Sequence, residues 1–239
     1  MKIVVAEKYQ SMGDQLKALP HPTAEDAGEV VYQKRNEVRR VVVDGRPLMV
    51  KRYKRPNMLQ RFVYTFFRPS KAERAYRFAA MFRERGIETP HEVAYMEECR
   101  NGLFADSWFV SEEATGTESH LLLREVQEFS HELADAVMAQ VVMMHSKGIL
   151  HGDLNLSNFL CTPTNEGYRF SLIDTNRSRF CQGWPSRRQC IKNLVRLTHR
   201  RDLFEYLVSS YARQRGWDEQ PTVSEALREL HRFEHRIIK

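Results

Sequence analysis

Two short stretches of the chain combine polar residues whose types and spacing could do chemistry. HGDLNLSN (151–158) places Asp153 and Asn158 five positions apart, and SLID (171–174) ends an apolar run with Asp174. One carboxylate and one amide oxygen suit a hard octahedral cation such as Mg²⁺, which keeps phosphate oxygens and water in its shell. A second carboxylate nearby can orient a hydroxyl and accept its proton. The residue types therefore predict phosphoryl transfer, with Asn158 and Asp174 as metal ligands and Asp153 as the base.

These residues need a scaffold that brings them together. NFLCT (158–162) and YRFSLID (168–174) read as two strands joined by PTNEG (163–167). Pairing the strands as an antiparallel hairpin brings Asn158 and Asp174 to the same end of it. His151 is expected to brace the polar loop by hydrogen bonding rather than to titrate.

The first half of the chain predicts an antiparallel sheet with one main helix. Asp44-Gly45 and Asn101-Gly102 are tight-turn signals between alternating apolar segments. A helix is expected from Ser70 to a stop at Gly86. The predicted strands span 29–33, 37–43, 46–53, 87–95 and 103–112. The aromatic stretch 57–69 fits either a helix or loop that packs its rings on the sheet, or a lipid-facing patch.

The second half changes to helical patterns. Residues 124–148 predict a long amphipathic helix, and the chain after the hairpin is again helical. The fold class is therefore α+β, with a β-rich part at 1–112 followed by a mainly helical part at 113–239, and the join lies near 112–116.

Composition limits the classes of partner and the location. The 239 residues carry a net charge of +6, with basic clusters at 51–56 and 187–201 that suit anionic partners without distinguishing them. Neither MKIVVAEKYQ at the start nor any later apolar run is long enough for a signal peptide or a membrane span. The four cysteines show no metal-binding spacing. We expect a cytoplasmic protein, at most peripheral at an anionic membrane, and no nucleic-acid partner.

The pattern H-x-D-x-x-x-x-N with a downstream Asp resembles the protein-kinase-like superfamily. The resemblance implies a bilobal fold with a β-rich N-lobe and a mainly helical C-lobe. It also implies that Asp153 is the catalytic base, Asn158 the second metal ligand and Asp174 the metal-binding Asp of D-F-G. Two departures stand out, since the third motif reads Asp-Thr-Asn and Asn155 replaces the usual Lys.

HGDLNLSNFL together with LIDTNRSRF looks like the lipopolysaccharide core kinases, the Kdo kinase and heptose kinase group. Kdo kinases read D-L-N and N-I-L in the loop and L-I-D-F-D-R at the metal motif. The present chain keeps Leu172, Ile173, Asp174 and Arg177 of that frame. Aminoglycoside and other small-molecule phosphotransferases also use an H-G-D-L loop, so the match to one substrate is weaker than the match to the fold.

The same resemblance implies ATP and a lysine that grips its phosphates. Lys51 follows Leu48–Val50 on the third predicted strand, and Lys54 is the competing candidate near Pro56. The usual partner of this lysine is a glutamate on the next helix, which would be Glu73. Ser70-x-x-Glu73 is equally a capping box, so both roles for Glu73 stay open. No G-x-G-x-x-G motif lies between the first two strands.

The acceptor is inferred from what the chain lacks. About fifteen residues separate Asp174 from the helical stretch near Gln189, with no A-P-E, whereas protein kinases carry a longer peptide-binding segment there. This favours ATP- and Mg²⁺-dependent transfer to a sugar hydroxyl, most simply on Kdo or heptose of lipopolysaccharide core. The alternatives are a small-molecule or protein kinase of the same fold, or a nucleotide-binding pseudokinase.

Overall fold

The chain is described by a computed structural model covering residues 1–23 and 27–237. The expected C-terminal part, 113–239, therefore has its last two residues outside the described range. Two compact units are formed. The first unit comprises residues 1–84 with 90–114, and the second comprises residues 85–89 with 115 onward.

The first unit is built on one antiparallel sheet with the order β1-β5-β6-β4-β3-β2. Its strands are β1 (Lys2–Val5), β2 (Glu29–Gln33), β3 (Glu37–Val43), β4 (Arg46–Tyr53), β5 (Glu92–Arg100) and β6 (Leu103–Glu112). Asp44 and Gly45 both have positive φ, as do Asn101 and Gly102, so each pair forms the type of turn that suits a two-residue hairpin. The predicted bounds of β2, β3, β4 and β6 are confirmed.

The predicted strand at 87–95 corresponds to β5, but its predicted start is wrong, because the strand begins five residues later, at Glu92, and continues to Arg100. Residues 85–89 instead join the second unit, where the carbonyl of Glu88 accepts a hydrogen bond from the N–H of Leu172 at 2.9 Å. The Thr89 hydroxyl donates to the Leu172 carbonyl at 2.6 Å. Glu88 and Thr89 therefore bond to Leu172 instead of extending β5.

Helices of the first unit are α1 (Gly13–Ala18), α2 (Met58–Phe66) and α3 (Lys71–Glu84). The helix α3 follows the prediction and buries Ala72, Ala75, Ala79 and Phe82 at helical spacing. Gly86 follows its end at φ 74°, where a residue without a Cβ is favoured. The sheet and α1 enclose a core centred on Trp108 and Leu48.

The second unit is mainly helical, and all its helices and strands follow residue 115. Its elements are β7 (Thr117–Glu118), α4 (Ser119–Leu123), α5 (His131–Ser146), β8 (Ile149–Leu150), β9 (Phe159–Thr164), β10 (Gly167–Leu172), β11 (Arg179–Phe180), α6 (Arg187–Leu194), α7 (Arg201–Gln214) and α8 (Glu219–Ile237). Two small sheets have the orders β10-β9-β7 and β11-β8. A bilobal α+β fold results, with a β-rich first unit and a helical second unit. Within the described ranges, none of the helices has the length and apolar character to cross a membrane.

The long helix predicted at 124–148 is shorter than expected. α5 begins at His131, because Ser130 is its N-cap and accepts a hydrogen bond from the N–H of Leu133 at 3.2 Å. Arg200 binds the preceding loop through the carbonyls of Val126 and Gln127. Residues 124–130 thus have a partner outside the helix.

Candidate active site

The β9–β10 hairpin brings Asn158 and Asp174 to the same end of the hairpin. Leu172 lies opposite Phe159 in the ladder, and the N–H of Ile173 donates to the carbonyl of Asn158 at 3.0 Å. Asn158 and Asp174 therefore flank the last paired positions of the two strands. The expected meeting of these two residues is found, and their roles as metal ligands remain predictions.

The Asn158 side chain also shapes the loop that carries Asp153. Its Nδ2 donates to the carbonyl oxygen of Asp153 at 2.7 Å, and the N–H of Asn155 donates to the same oxygen at 2.8 Å. Because the amide nitrogen is used in this way, Oδ1 is the side-chain atom left to act as a ligand. Asn158 thus holds the loop through its nitrogen and leaves its oxygen available for the predicted metal.

His151 is fully buried and braces the loop with both ring nitrogens. Nε2 donates to the carbonyl of Ile173 at 3.0 Å, and Nδ1 accepts from the N–H of Asp153 at 3.2 Å. Burial lowers the pKa of His151, although the nearby negative charges of Asp174 and Asp153 oppose that effect. The ring is therefore a neutral brace, as the sequence predicted.

Asp153 presents a carboxylate that is one-third exposed. Arg177 Nη1 lies 3.6 Å from Oδ2, and Arg196 Nη1 lies 3.6 Å from Oδ1. Both separations exceed ordinary hydrogen-bond lengths, so the carboxylate keeps acceptor capacity for a hydroxyl. The Arg196 guanidinium also stacks over the Phe233 ring, 4.9 Å from its centroid. The Asp153 carboxylate therefore lies between two cations, and its role as a base remains a prediction.

Asp174 adopts the left-handed conformation, with φ 59° and ψ 44°. Asp and Asn tolerate this region better than other residues with a side chain. Asn176 is buried, and its Nδ2 donates to Oδ1 of Asp174 at 2.5 Å. The Asn of the unusual Asp-Thr-Asn motif therefore orients the carboxylate.

Gly152 is required where the loop passes the turn after Asp174. A Cβ built on Gly152 would lie 2.0 Å from the carbonyl oxygen of Arg177. The two backbone segments therefore pack directly against each other, which explains the small residue between His151 and Asp153.

A chain of hydrogen bonds supports the loop from within the helical core. Asn193 Nδ2 donates to the carbonyl of His151 at 2.6 Å, and its Oδ1 lies 3.1 Å from His145 Nε2. The Tyr211 hydroxyl lies 2.7 Å from His145 Nδ1 and accepts from Arg215 at 2.8 Å. Burial lowers the pKa of His145 to about 4, so the ring is neutral and joins the chain with one donor and one acceptor.

Sequence reasoning missed Arg196 and most of this hydrogen-bonded chain. Arg196 lies within the basic cluster 187–201, for which the sequence indicated anionic partners without distinguishing them, and no motif in the sequence connected His145 to the loop. The histidine is buried among α5, α6 and α7, and its polar partners are far apart in the sequence. No local spacing connects them.

The predicted phosphate-gripping residues lie in the first unit. Lys51 is half-buried in β4, and its Nζ lies 5.4 Å from the centroid of the Tyr53 ring. Glu73 is buried, and its carboxylate pairs with Arg77 at 2.5 Å and with Lys2 at 3.7 Å. The Ser70 hydroxyl accepts from the N–H of Glu73 at 3.1 Å, which is one half of the capping box. A pairing of Glu73 with Lys51 stays a prediction.

The donor set at the hairpin end fits Mg²⁺. No group of three or more His, Cys, Asp or Glu side chains suited to a metal occurs among the residues that the structure describes. A site of one carboxylate and one amide oxygen is expected when phosphate oxygens and water complete the shell. Softer transition metals would need additional nitrogen or sulfur ligands.

The bilobal α+β fold, with a β-rich first unit and a mainly helical second unit, is of the protein-kinase-like class. The family model described as "Kdo: Lipopolysaccharide kinase (Kdo/WaaP) family" matches residues 25–232. The chain therefore belongs to the lipopolysaccharide kinase (Kdo/WaaP) family. It is a kinase of lipopolysaccharide core biosynthesis that phosphorylates a sugar hydroxyl.

A solved structure supports the fold assignment. The chain is similar to "WaaP in complex with acyl carrier protein", with a TM-score of 0.65, 21% identity and coverage of 100% of both chains. No curated protein matches the chain. Family membership implies ATP as the phosphoryl donor and usually Mg²⁺.

Proposed function

We propose that this kinase transfers the γ-phosphate of ATP to a hydroxyl of the acidic sugar Kdo, rather than to a neutral heptose. The supporting observation is that Arg177 and Arg196 flank the carboxylate of Asp153 at 3.6 Å each. A hydroxyl delivered to Asp153 would bring its sugar ring next to both guanidinium groups. Kdo carries a carboxylate that such groups bind through charge-assisted hydrogen bonds, and heptose has none.

In the proposed mechanism, Asp153 orients the acceptor hydroxyl and accepts its proton. The hydroxyl oxygen forms a bond to the γ-phosphorus as the bond from that phosphorus to the β,γ-bridging oxygen breaks, and ADP leaves. His151 bonds the N–H of Asp153 and Asn158 bonds its carbonyl, so the base stays aligned without reorganisation.

The remaining roles concern the nucleotide and the metal. Asn158 and Asp174 would hold Mg²⁺, which when bound neutralises charge on the phosphates. Lys51 binds the α- and β-phosphates, and Glu73 orients that lysine. The N-lobe, 1–112, thus serves the nucleotide, and the C-lobe, 113–239, carries the base and the metal ligands.

The acceptor is part of a glycolipid, so the reaction takes place at the cytoplasmic face of the inner membrane. The kinase is a cytoplasmic protein that binds this surface peripherally. The net charge of +6 supports such an encounter, because lipid headgroups and lipid A phosphates are negatively charged.

The test compares Kdo-terminated and heptose-terminated lipid acceptors, with ATP and Mg²⁺, for the wild type and for the double variant Arg177→Gln/Arg196→Gln. Losing two charge-assisted contacts should raise the KM for the Kdo acceptor by about 10- to 100-fold, with the KM for ATP unchanged. Arg179→Gln, an exposed arginine on β11, is the matched control. Faster turnover of the heptose acceptor, or an unchanged KM for Kdo in the double variant, would contradict the assignment.

A further inference from the structure

Helix α2 presents an apolar face to solvent instead of to the core. Leu59 and Phe67 are each 75% exposed, and Met58, Phe62 and Phe66 are also exposed. The three phenylalanine rings form a cluster, with the Phe62 centroid 4.9 Å from Phe66 and 5.8 Å from Phe67. Single exposed apolar residues are common, but a contiguous cluster of rings marks an interaction surface.

The opposite face of α2 is fixed to β6. Arg61 Nε donates to the Phe104 carbonyl at 2.6 Å, and the N–H of Phe104 donates to the Thr65 hydroxyl at 2.9 Å. The Tyr64 ring meets the Phe104 ring edge-on at 5.4 Å. Asn57 caps the helix by accepting from the N–H of Gln60 at 2.9 Å. The phenylalanine cluster is therefore held outward by the structure of the first unit.

The charge around the cluster has one sign. Residues 51–71 contain seven Lys or Arg and no Asp or Glu. Arg68 is exposed directly after the last phenylalanine, and Lys54 and Arg55 are exposed before the helix begins. The nearby carboxylate of Asp106 is buried and pairs with Arg52 and Arg55, so it offsets part of this charge without facing solvent.

We infer that α2 and Phe67 form the surface by which the kinase docks on the anionic membrane that carries its glycolipid acceptor. The inference rests on the proposed function for the location of that acceptor. Exposed phenylalanines enter the boundary between headgroups and acyl chains, and the exposed Lys54, Arg55 and Arg68 bind lipid phosphates. The rings match the apolar part of a lipid layer, and the basic residues match its negatively charged headgroups. No acidic residue occurs within 51–71 to oppose this binding.

The test is sedimentation of the full chain with two kinds of vesicle, phosphatidylethanolamine mixed with phosphatidylglycerol and phosphatidylcholine alone. The variant Phe62→Ser/Phe66→Ser/Phe67→Ser should partition onto the anionic vesicles about 10-fold less than the wild type. Arg68→Glu should reduce binding by a smaller factor that disappears at high salt. Val31→Ser/Val42→Ser changes two exposed apolar residues of the sheet and is the matched control.

Kinase activity on a water-soluble, deacylated acceptor separates docking from catalysis. The triple variant should keep wild-type turnover of this acceptor and lose turnover of the full glycolipid in vesicles. Unchanged vesicle binding by the triple variant would overturn the inference. A second outcome would also overturn it. If the wild type bound acyl carrier protein but no vesicles, and the triple variant lost that binding, the surface would be a site for a protein. A failure of the Kdo assignment would look different: the wild type would be inactive on the soluble Kdo acceptor but would still bind the anionic vesicles.

Discussion

The His151 ring nitrogen Nε2 donates a 3.0 Å hydrogen bond to the carbonyl of Ile173, the residue directly before Asp174. This bond links the loop that carries the proposed base to the strand end that carries a proposed metal ligand. Since the other nitrogen of the ring accepts from the N–H of Asp153, one buried side chain sets the positions of both carboxylates.

Two substitutions at Asn158 separate its two roles. Asn158→Ala removes the oxygen ligand and the bond to the Asp153 carbonyl, so the Mg²⁺ concentration for half-maximal rate should rise at least about 10-fold. Asn158→Asp keeps an oxygen ligand and loses the donor, so kcat should fall while the Mg²⁺ requirement stays near that of the wild type. Magnesium titrations of the initial rate measure both effects. Asn165→Ala, in the exposed hairpin turn, is the control, and an unchanged magnesium requirement in Asn158→Ala would contradict the assignment.

Gly152→Ala should destabilise the fold by about 3 kcal/mol, since the new methyl group would lie 2.0 Å from the backbone oxygen of Arg177. Urea denaturation measures the free energy of unfolding. Gly13→Ala is the matched control, because it lies at negative φ in open space at the start of α1, where alanine should be neutral or slightly stabilising. Equal stability of the two variants would show that the loop and the turn are not packed as described.

Stability should depend on pH through His145. Burial holds the pKa of His145 at about 4 in the folded chain, against 6.5 for an ordinary histidine. Between these values the unfolded state binds a proton that the folded state does not, so the free energy of unfolding falls as the pH drops below 6.5. The contribution of this group is about 1.4 kcal/mol per pH unit down to about pH 4.

Urea denaturation of His145→Gln across pH 4 to 7 tests this slope. Glutamine offers one donor and one acceptor to Asn193 and Tyr211 and does not titrate, so the loss of stability on acidification should be smaller than in the wild type. His231→Gln, an exposed position on α8, is the matched control. Parallel pH curves for the wild type and His145→Gln would contradict the buried neutral histidine.

Much of the fold could be predicted because local signals and tertiary structure agree. The Asp44-Gly45 and Asn101-Gly102 turns fix the register of their hairpins, so the bounds of β3, β4 and β6 followed from the sequence. The hairpin 158–174 was also predicted from local signals, since two apolar strands flank the turn residues 163–167. This prediction brought Asn158 and Asp174 together.

The errors arise where long-range contacts override local pattern. Residues 87–89 resemble a strand start but bond to Leu172, and residues 124–130 resemble a helix but meet Arg200. Arg196 reaches Asp153 from more than forty positions away in sequence, a distance at which no spacing rule operates. The Ser130 N-cap was a readable signal for the true start of α5, but Val126 and Phe129 fit the spacing of an amphipathic helix and led the prediction to start at 124.

The central claim is that Asp153 is the base of a phosphoryl transfer to a sugar hydroxyl. The most direct measurement is the single-turnover rate of phosphate transfer from γ-labelled ATP to a Kdo acceptor by the wild type and by Asp153→Asn. We predict a rate lower by about 10²- to 10⁴-fold, with ATP binding and melting temperature unchanged, because the amide cannot accept the proton. A wild-type rate in Asp153→Asn would contradict the account.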